Sequence, residues 1–369
     1  MHQIFISVGE TSGDMYAAAI IKQLPAISSV YGNGGEQMEA AGCQLLYNVV
    51  NHSTIGFIEP LVKIPYFLNV FRKTKQFILK NNIRTVVIID HQGFNIPLAK
   101  WCKSKNIRVI SFIAPQFWLW GQRKKAVAFC SYCDTIACIF EKEYTYYQGI
   151  APDKAQFVGH PLISLLPKRN PSENVVIGLF PGSRSQEIKY CLPMMLDAAK
   201  QLHAQFPKLT FKMAVASKKI EAELDIRYSG VPVEFVYDSR ALIAEAHASM
   251  VASGTVSLEH ALIGTPCVVV YQFSWISFQV ARWLVMKKIE ENCSGFMALP
   301  NILAKKEICP EFLQSEASVQ NIVTAMTGLL TDQNKVNKMI DEFESVRSQL
   351  DTDDNCFKLL VSTISTQQY

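Results

Sequence analysis

The chain has 369 residues, of which 49% are hydrophobic and 18% charged, with a formal net charge of +4. That length exceeds one ordinary core and predicts two domains, and so small a charge gives no footprint for nucleic acid. No apolar stretch approaches the roughly 20 residues that cross a bilayer, which predicts a protein that is soluble or rests on a membrane surface. Ten cysteines are scattered without a disulfide framework and predict reduced thiols in a cytosolic compartment. The Cys130, Cys133 and Cys138 group has metal-like spacing, but no second pair or nearby histidine completes a zinc site, so no metal is predicted.

In chain order, residues 4–8 read as a strand with neither the length nor the cleavage site of a signal peptide. The turn after it, Gly9-Glu10-Thr11-Ser12-Gly13-Asp14, departs from the dinucleotide fingerprint. Glu10 would project into a crevice there, and Ser12 or Asp14 suits a helix cap equally well. A helix follows at 14–24, and the cluster Gly32-Asn33-Gly34-Gly35 with Met38 and Gly42 reads as another strand-end loop. Over residues 55–75, Ile58, Leu61, Phe67, Leu68 and Phe71 stand beside Arg72 and Lys73. Apolar anchors with basic neighbours suit a helix resting on headgroups or gripping acyl chains; a buried crossover helix has the same periodicity.

Strands are predicted at 85–89, 108–113 and 135–139, with a helix at 96–104 between the first two. The first ends in Asp90-His91-Gln92-Gly93-Phe94-Asn95, which places a carboxylate where a general base works. Asp90 capping a loop is the competing role, and His91 is a rival base. Trp118 and Trp120, after Ala114-Pro115-Gln116, line a cleft or pack a core. Residues 161–171 read as an interdomain linker. Alternation then resumes, with strands at 175–180, 210–215, 233–236, 248–252 and 267–271. Helices are predicted at 186–205, 240–246, 256–263 and 275–286, then through 319–362 with breaks near Asp332 and 351–355. Strands alternating with helices predict parallel sheets, with ligands at the strands' carboxyl ends. Pro181-Gly182-Ser183-Arg184, with Glu187 beyond, opens one helix; Ser253-Gly254-Thr255, with Glu259 beyond, opens another. Free N–H groups and a positive helix end make each an anion site, and Arg184 adds a fork of donors. Either turn also suits a simple helix cap. Leu299-Pro300-Asn301 reads as one more cleft loop.

These segments, taken in order through nearly the whole chain, resemble the lipid-A-disaccharide synthases. The resemblance is carried by the Gly9 to Asp14 turn, the glycines leading to Met38 and Gly42, Asp90 to Asn95, and Ala114-Pro115-Gln116-x-Trp118-x-Trp120. It continues through Gly159-His160-Pro161-Leu162, Pro181 to Glu187, Ser253 to Glu259, Leu299-Pro300-Asn301 and Pro310-Glu311-Phe312-Leu313-Gln314. It implies an α/β fold of two Rossmann-like doubly wound domains facing across a cleft (GT-B). The first domain covers 1–165, joined by a C-terminal helix at 346–369, and the second, which binds the UDP-sugar, covers 172–345.

The implied reaction is an inverting transfer of diacylglucosamine from UDP to lipid X, a diacylglucosamine 1-phosphate, at the cytoplasmic face of the inner membrane. No cofactor or metal is implied, and relatives that exchange C-terminal segments make a homodimer an expectation. Gly182, Ser183, Arg184, Glu187, Ser253, Gly254, Thr255, Glu259 and Asn301 would bind the UDP-sugar. Ser12 and the apolar residues of 55–75, with Trp118 and Trp120, would meet the acceptor, its lipid or the membrane. Many relatives carry a second Asp in the stretch matching Gln92-Gly93. Its absence here moves the base to Asp90, with Glu10 and His91 as rivals. A UDP-sugar epimerase or hydrolase of the same fold, and a non-catalytic lipid or nucleotide-sugar binder, are the alternative readings.

Overall fold

Every strand pairing among the described residues is parallel. The computed structural model describes all residues except 1–2, 27, 51–58, 183–184, 216–220, 222–223, 225–229, 253, 273–294, 353 and 367–369, and the backbone alone at 59–63, 120 and 185–186. Two compact units result, one of Met1–Ser164 with Leu350–Tyr369 and one of Leu165–Gln349.

The first unit holds β1 (Gln3–Ser7), β2 (Ser29–Gly34), β3 (Gln44–Asn48), β4 (Thr85–Ile89), β5 (Arg108–Phe112), β6 (Thr135–Cys138) and β7 (Ala155–Phe157) in the order β3-β2-β1-β4-β5-β6-β7. Its helices are α1 (Thr11–Ile21), α2 (Glu36–Ala40), α3 (Glu59–Lys80), α4 (Gln92–Ser104), α5 (Phe117–Trp120), α6 (Arg123–Tyr132) and α7 (Glu141–Gln148). The chain winds outward from β1 to β3, returns to β4, and winds the other way. Crossovers on either side of the β1–β4 pair therefore diverge, opening a crevice at the carboxyl ends of those two strands.

The second unit repeats this plan. Its strands are β8 (Val176–Phe180), β9 (Thr210–Ala214), β10 (Val233–Val236), β11 (Ala248–Ala252), β12 (Cys267–Tyr271) and β13 (Glu311–Leu313), ordered β10-β9-β8-β11-β12-β13. The switch point lies between β8 and β11. Helices here are α8 (Ser185–Gln205), α9 (Ser239–Glu245), α10 (Thr255–Ile263), α11 (Leu299–Ala304), α12 (Val319–Thr331) and α13 (Gln333–Leu350). Helices cover both faces of the sheet, so β8 and β11 are buried at every residue, and β8 reads as an unbroken apolar run while β11 is interrupted only by Ser249.

The glycine cluster at 32–35 is not a strand-end loop, because Gly32 and Gly34 belong to β2 itself. A Cβ on either would collide with the Met38 side chain, so the missing side chains admit that methionine under the strand. Asp14 accounts for the neighbouring motif. Buried on α1, its carboxylate accepts the N–H groups of Gly35 (2.8 Å), Gln37 (3.0 Å) and Met38 (3.1 Å) and caps α2. The predicted helix at 275–286 lies outside the described residues.

The last helix, α14 (Cys356–Ser365), packs on α1 in the first unit. Arg108 at the start of β5 donates to the carbonyls of Thr363 and Thr366, at 2.7 Å each, closing the helix's free C-terminal acceptors. Removing those charge-assisted bonds costs about 2 kcal/mol. Arg108→Ala is therefore expected to lower the melting midpoint by several degrees and to raise amide exchange over 356–366 first, which mass-resolved hydrogen exchange would register.

Candidate active site

At the β1–β4 switch point the turn after β1 delivers Glu10, exposed at the start of α1, and the end of β4 delivers Asp90 and His91. Both of the latter are left-handed, with φ of 47° and 48°, and Ile113 after β5 has φ 59°. Non-glycine residues held there cost about 1–3 kcal/mol each, and a β-branched residue is a clear outlier. Strain is thus stored at the carboxyl ends of β4 and β5. One side chain braces it: buried Asn95 donates to the carbonyls of Ser7 (3.1 Å), Ile89 (3.1 Å) and Asp90 (2.8 Å).

Burial raises the Asp90 carboxyl above its ordinary value, the nearby Glu10 charge raises it further, and a hydrogen bond to the His91 backbone opposes both. That makes Asp90 a stronger proton acceptor than a solvated carboxylate. His91 is shifted the other way, since burial favours its neutral imidazole. Its ring stacks on Phe94 at 5.9 Å and meets Phe67 at 5.8 Å, and a Cβ on Gly9 would collide with it. Its Nδ1 is buried with no partner among the described residues. Glu143, on the first turn of α7 beyond β6, is buried and accepts the Ile139 N–H at 2.7 Å. Burial pushes its carboxyl up to about 8, with a smaller contribution from the Asp90 charge. The sequence marked Asn95 only as the end of the Asp90 to Asn95 motif, without a role, and did not single out Glu143. At Gly93 a Cβ would have no atom within 4 Å, so the position opens onto free space.

Ser12 is exposed on the first turn of α1. Trp118 is half-buried, its ring 6.4 Å from Phe140 and its indole Nε1 buried without a partner among the described residues. The Trp120 side chain, like that of Leu61 and the whole of Ile58, lies outside the described residues. Helix α3 divides the apolar set. Ile64 and Leu68 are 47% and 64% exposed, and Arg72 and Lys73 continue that outer face. Phe67 and Phe71 instead turn inward, half-buried against Phe94 at 6.4 and 5.5 Å. As membrane anchors these two are corrected by their packing; they wall the His91 side of the site.

In the second unit, Gly182 follows β8 with φ 98°, and a Cβ there would strike Glu187, which is itself buried on the first turn of α8. Glycine is therefore required both by conformation and by contact. Tyr271 at the end of β12 donates to Glu187 Oε1 at 3.4 Å, so Glu187 braces the turn from beneath. Ser183 and Arg184 lie outside the described residues, as does Ser253. Gly254, φ 146°, caps α10, and Thr255 is exposed beside it. Arg240, on α9, grips Glu259 Oε1 through both Nε (3.1 Å) and Nη2 (2.9 Å). Its second oxygen, Oε2, accepts no hydrogen bond among the described residues. Asn301 is not on a loop facing a ligand. It sits fully buried in α11, its amide donating to Cys309 O and Glu311 Oε2 and accepting the N–H groups of Ile308 and Cys309. No donor or acceptor is left over, and its role is to join α11 to β13.

Two doubly wound units with glycine turns at the second switch point define the fold class of nucleotide-sugar epimerases and glycosyltransferases. Solved structures agree. A UDP-N-acetylglucosamine 2-epimerase of Neisseria meningitidis, bound to UDP-GlcNAc, superposes with TM-score 0.64 at 12% identity over 99% of each chain. A related protein of Listeria monocytogenes gives 0.65 at 11%, covering 98% of this chain and 95% of its own, and the glycotransferase of kitacinnamycin gives 0.62 at 12%, covering 98% and 97%. Sequence narrows the class. The family model described as lipid-A-disaccharide synthetase matches residues 4–362. Lipid-A-disaccharide synthases of Trichlorobacter lovleyi and of an Anaeromyxobacter strain are 32% and 34% identical, each over 94% of this chain and 93% of the relative. The chain belongs to the lipid-A-disaccharide synthase family, and is an enzyme of that family, a glycosyltransferase of lipid A biosynthesis. No helix among the described residues is long and apolar enough to cross a membrane.

The raised Asp90 carboxyl has a consequence for stability. Because its folded-state value lies above the unfolded one, folding favours the protonated form. The cost of the ionised form grows as pH rises from about the ordinary value of 3.8 through the folded value, and is fully present above it. Asp90→Asn is therefore expected to melt higher than the parent near neutral pH, with the gain vanishing as pH falls toward 4. Thermal melts of both proteins across that range test this; parallel curves would contradict it.

Proposed function

We propose that this protein joins UDP-2,3-diacylglucosamine to the 6-hydroxyl of lipid X, 2,3-diacylglucosamine 1-phosphate, giving lipid A disaccharide 1-phosphate and UDP with inversion at the transferred carbon. The observation that carries this reading is the half-buried Asp90 carboxyl, left-handed at the β1–β4 switch point, with its proton affinity raised. An inverting transfer needs one base for the acceptor hydroxyl and stabilisation of the departing diphosphate. Asp90 supplies the first. Glu10 is solvated and His91 has its basicity lowered by burial, which ranks both behind it.

The second unit supplies the other requirement. The Pro181-Gly182-Ser183-Arg184 and Ser253-Gly254-Thr255 motifs are assigned to the diphosphate, for which helix-start N–H groups and an arginine are the fitting donors. Glu259, held by Arg240, offers its open Oε2 to the ribose diol. The donor's nucleotide is taken as UDP by family membership, supported by the UDP-GlcNAc bound to the Neisseria relative in fold. Acyl chains of both substrates give the outer face of α3 a purpose: Ile64 and Leu68 enter the acyl boundary while Arg72 and Lys73 meet anionic headgroups, placing the enzyme on the inner membrane's cytoplasmic face. Pairing as a homodimer stays part of the proposal.

Supplied with both lipid substrates, the parent protein is expected to release UDP and form disaccharide, and Asp90→Asn to lose about 100-fold or more of that rate. Disaccharide formation near the parent rate would remove Asp90 from the mechanism. A UDP-sugar epimerase or hydrolase would instead turn over the donor alone, and a non-catalytic binder neither. For the membrane, Ile64→Ser with Leu68→Ser is expected to weaken flotation with anionic liposomes several-fold while leaving the melting midpoint unchanged; equal flotation would place membrane contact elsewhere.

A further inference from the structure

Asn95 stands in the first turn of α4 and is 1% exposed. Its amide has a fixed sense: the Ser7 hydroxyl donates to Oδ1 at 2.7 Å, which turns Nδ2 toward the carbonyls of Ser7, Ile89 and Asp90, the last at 2.8 Å. Ser7 is fully buried in β1, paired with Ile88 of β4, so this lock ties together the two strands whose ends frame the crevice. Phe94 of the same helix stacks on the His91 ring, but the hydrogen bond that a helix side chain makes to the backbone of the left-handed pair is that of Asn95, and His91 occupies the N-cap without a side-chain capping bond.

We infer that Asn95, locked by the Ser7 hydroxyl, is a positioning residue for the reaction: it holds the Asp90–His91 backbone left-handed and so sets the direction in which the Asp90 carboxylate enters the site. The inference rests on the proposal that Asp90 is the base. Release of the Asp90 carbonyl lets the strained pair relax toward an extended exit from β4 and re-aims the carboxylate. Three titratable groups face Asp90: Glu10 from the turn after β1, His91 beside it, and Glu143 from α7. Asn95 and Ser7 are neutral, so replacing them alters geometry without altering that set of charges.

Two variants of the full chain test this, Asn95→Ser, which removes the grip, and Ser7→Ala, which removes only the lock. Turnover with both lipid substrates is expected to fall about 100-fold for Asn95→Ser and about tenfold for Ser7→Ala, the scale set by misplacing a reacting group by about an ångström. UDP affinity by calorimetry should not change, because the nucleotide turns lie in the other unit. The acidic limb of the rate–pH profile should move to lower pH as the Asp90 carboxyl turns toward water. Parent-like turnover and an unmoved limb in a folded variant would overturn the inference, as would slower turnover with the limb unmoved. Should Asn95→Ser fail to fold, Ser7→Ala decides on the same readouts. An active Asp90→Asn defeats the base assignment itself, whereas an inactive Asp90→Asn beside a parent-like Ser7→Ala defeats only the positioning role.

Discussion

Parallel pairing is the constraint from which the rest follows. A parallel strand cannot be entered by a hairpin; the chain must cross over the sheet, and the crossover here is a helix wherever the described residues show one. Each such helix begins at the carboxyl edge, so its unpaired N–H groups and positive end collect there. The edge opens only where successive crossovers diverge, between β1 and β4 in one unit and between β8 and β11 in the other. Glu10 and Asp90 stand at one; Gly182, Glu187, Gly254 and Glu259 stand at the other.

What the two edges do with this inheritance differs. At β8 and β11 the geometry is relaxed, with positive φ assigned to glycines. At β4 and β5 the same conformation falls on Asp90, His91 and Ile113, which resist it. A half-buried carboxyl with raised proton affinity is the other cost accepted at that edge. Unfavourable backbone and unfavourable charge thus coincide at the carboxyl ends of β4 and β5, the coincidence on which the proposal of Asp90 as base rests.

Much of this was legible in the sequence. Strands β4, β8 and β12 are almost wholly apolar because both faces are covered, and their Val- and Ile-rich runs announce that burial. Asp90 could be placed at a strand end for the same reason. By contrast β2, Ser-Val-Tyr-Gly-Asn-Gly, reads locally as a turn; its glycines make sense only once Met38 is seen lying beneath them. Short edge strands β7 and β13, three residues each, carry too little pattern to detect. Asn301 was visible as a polar residue in a motif, yet its partners Cys309 and Glu311 come from a later segment, and only they show that it is spent internally. The Ser7–Asn95 lock spans 88 positions, a distance no local pattern encodes. Inward and outward faces of α3 could be separated only after Phe94 and His91 were in place to receive Phe67.

The route of the chain carries a consequence for the order in which the molecule is made. Residues 1–164 are synthesised first, but the helix that completes their unit, α14, emerges only after all of residues 165–349. Until then the α14-facing side of α1 and the Arg108 guanidinium lack their partner. The N-terminal half is therefore committed to wait in an unfinished state while its neighbour is synthesised, although domains ordinarily close one after another in the order of translation. Completion of the first unit is coupled to synthesis of the whole of the second, so a chain terminated before residue 356 retains the Asp90 sequence while lacking one helix of its scaffold.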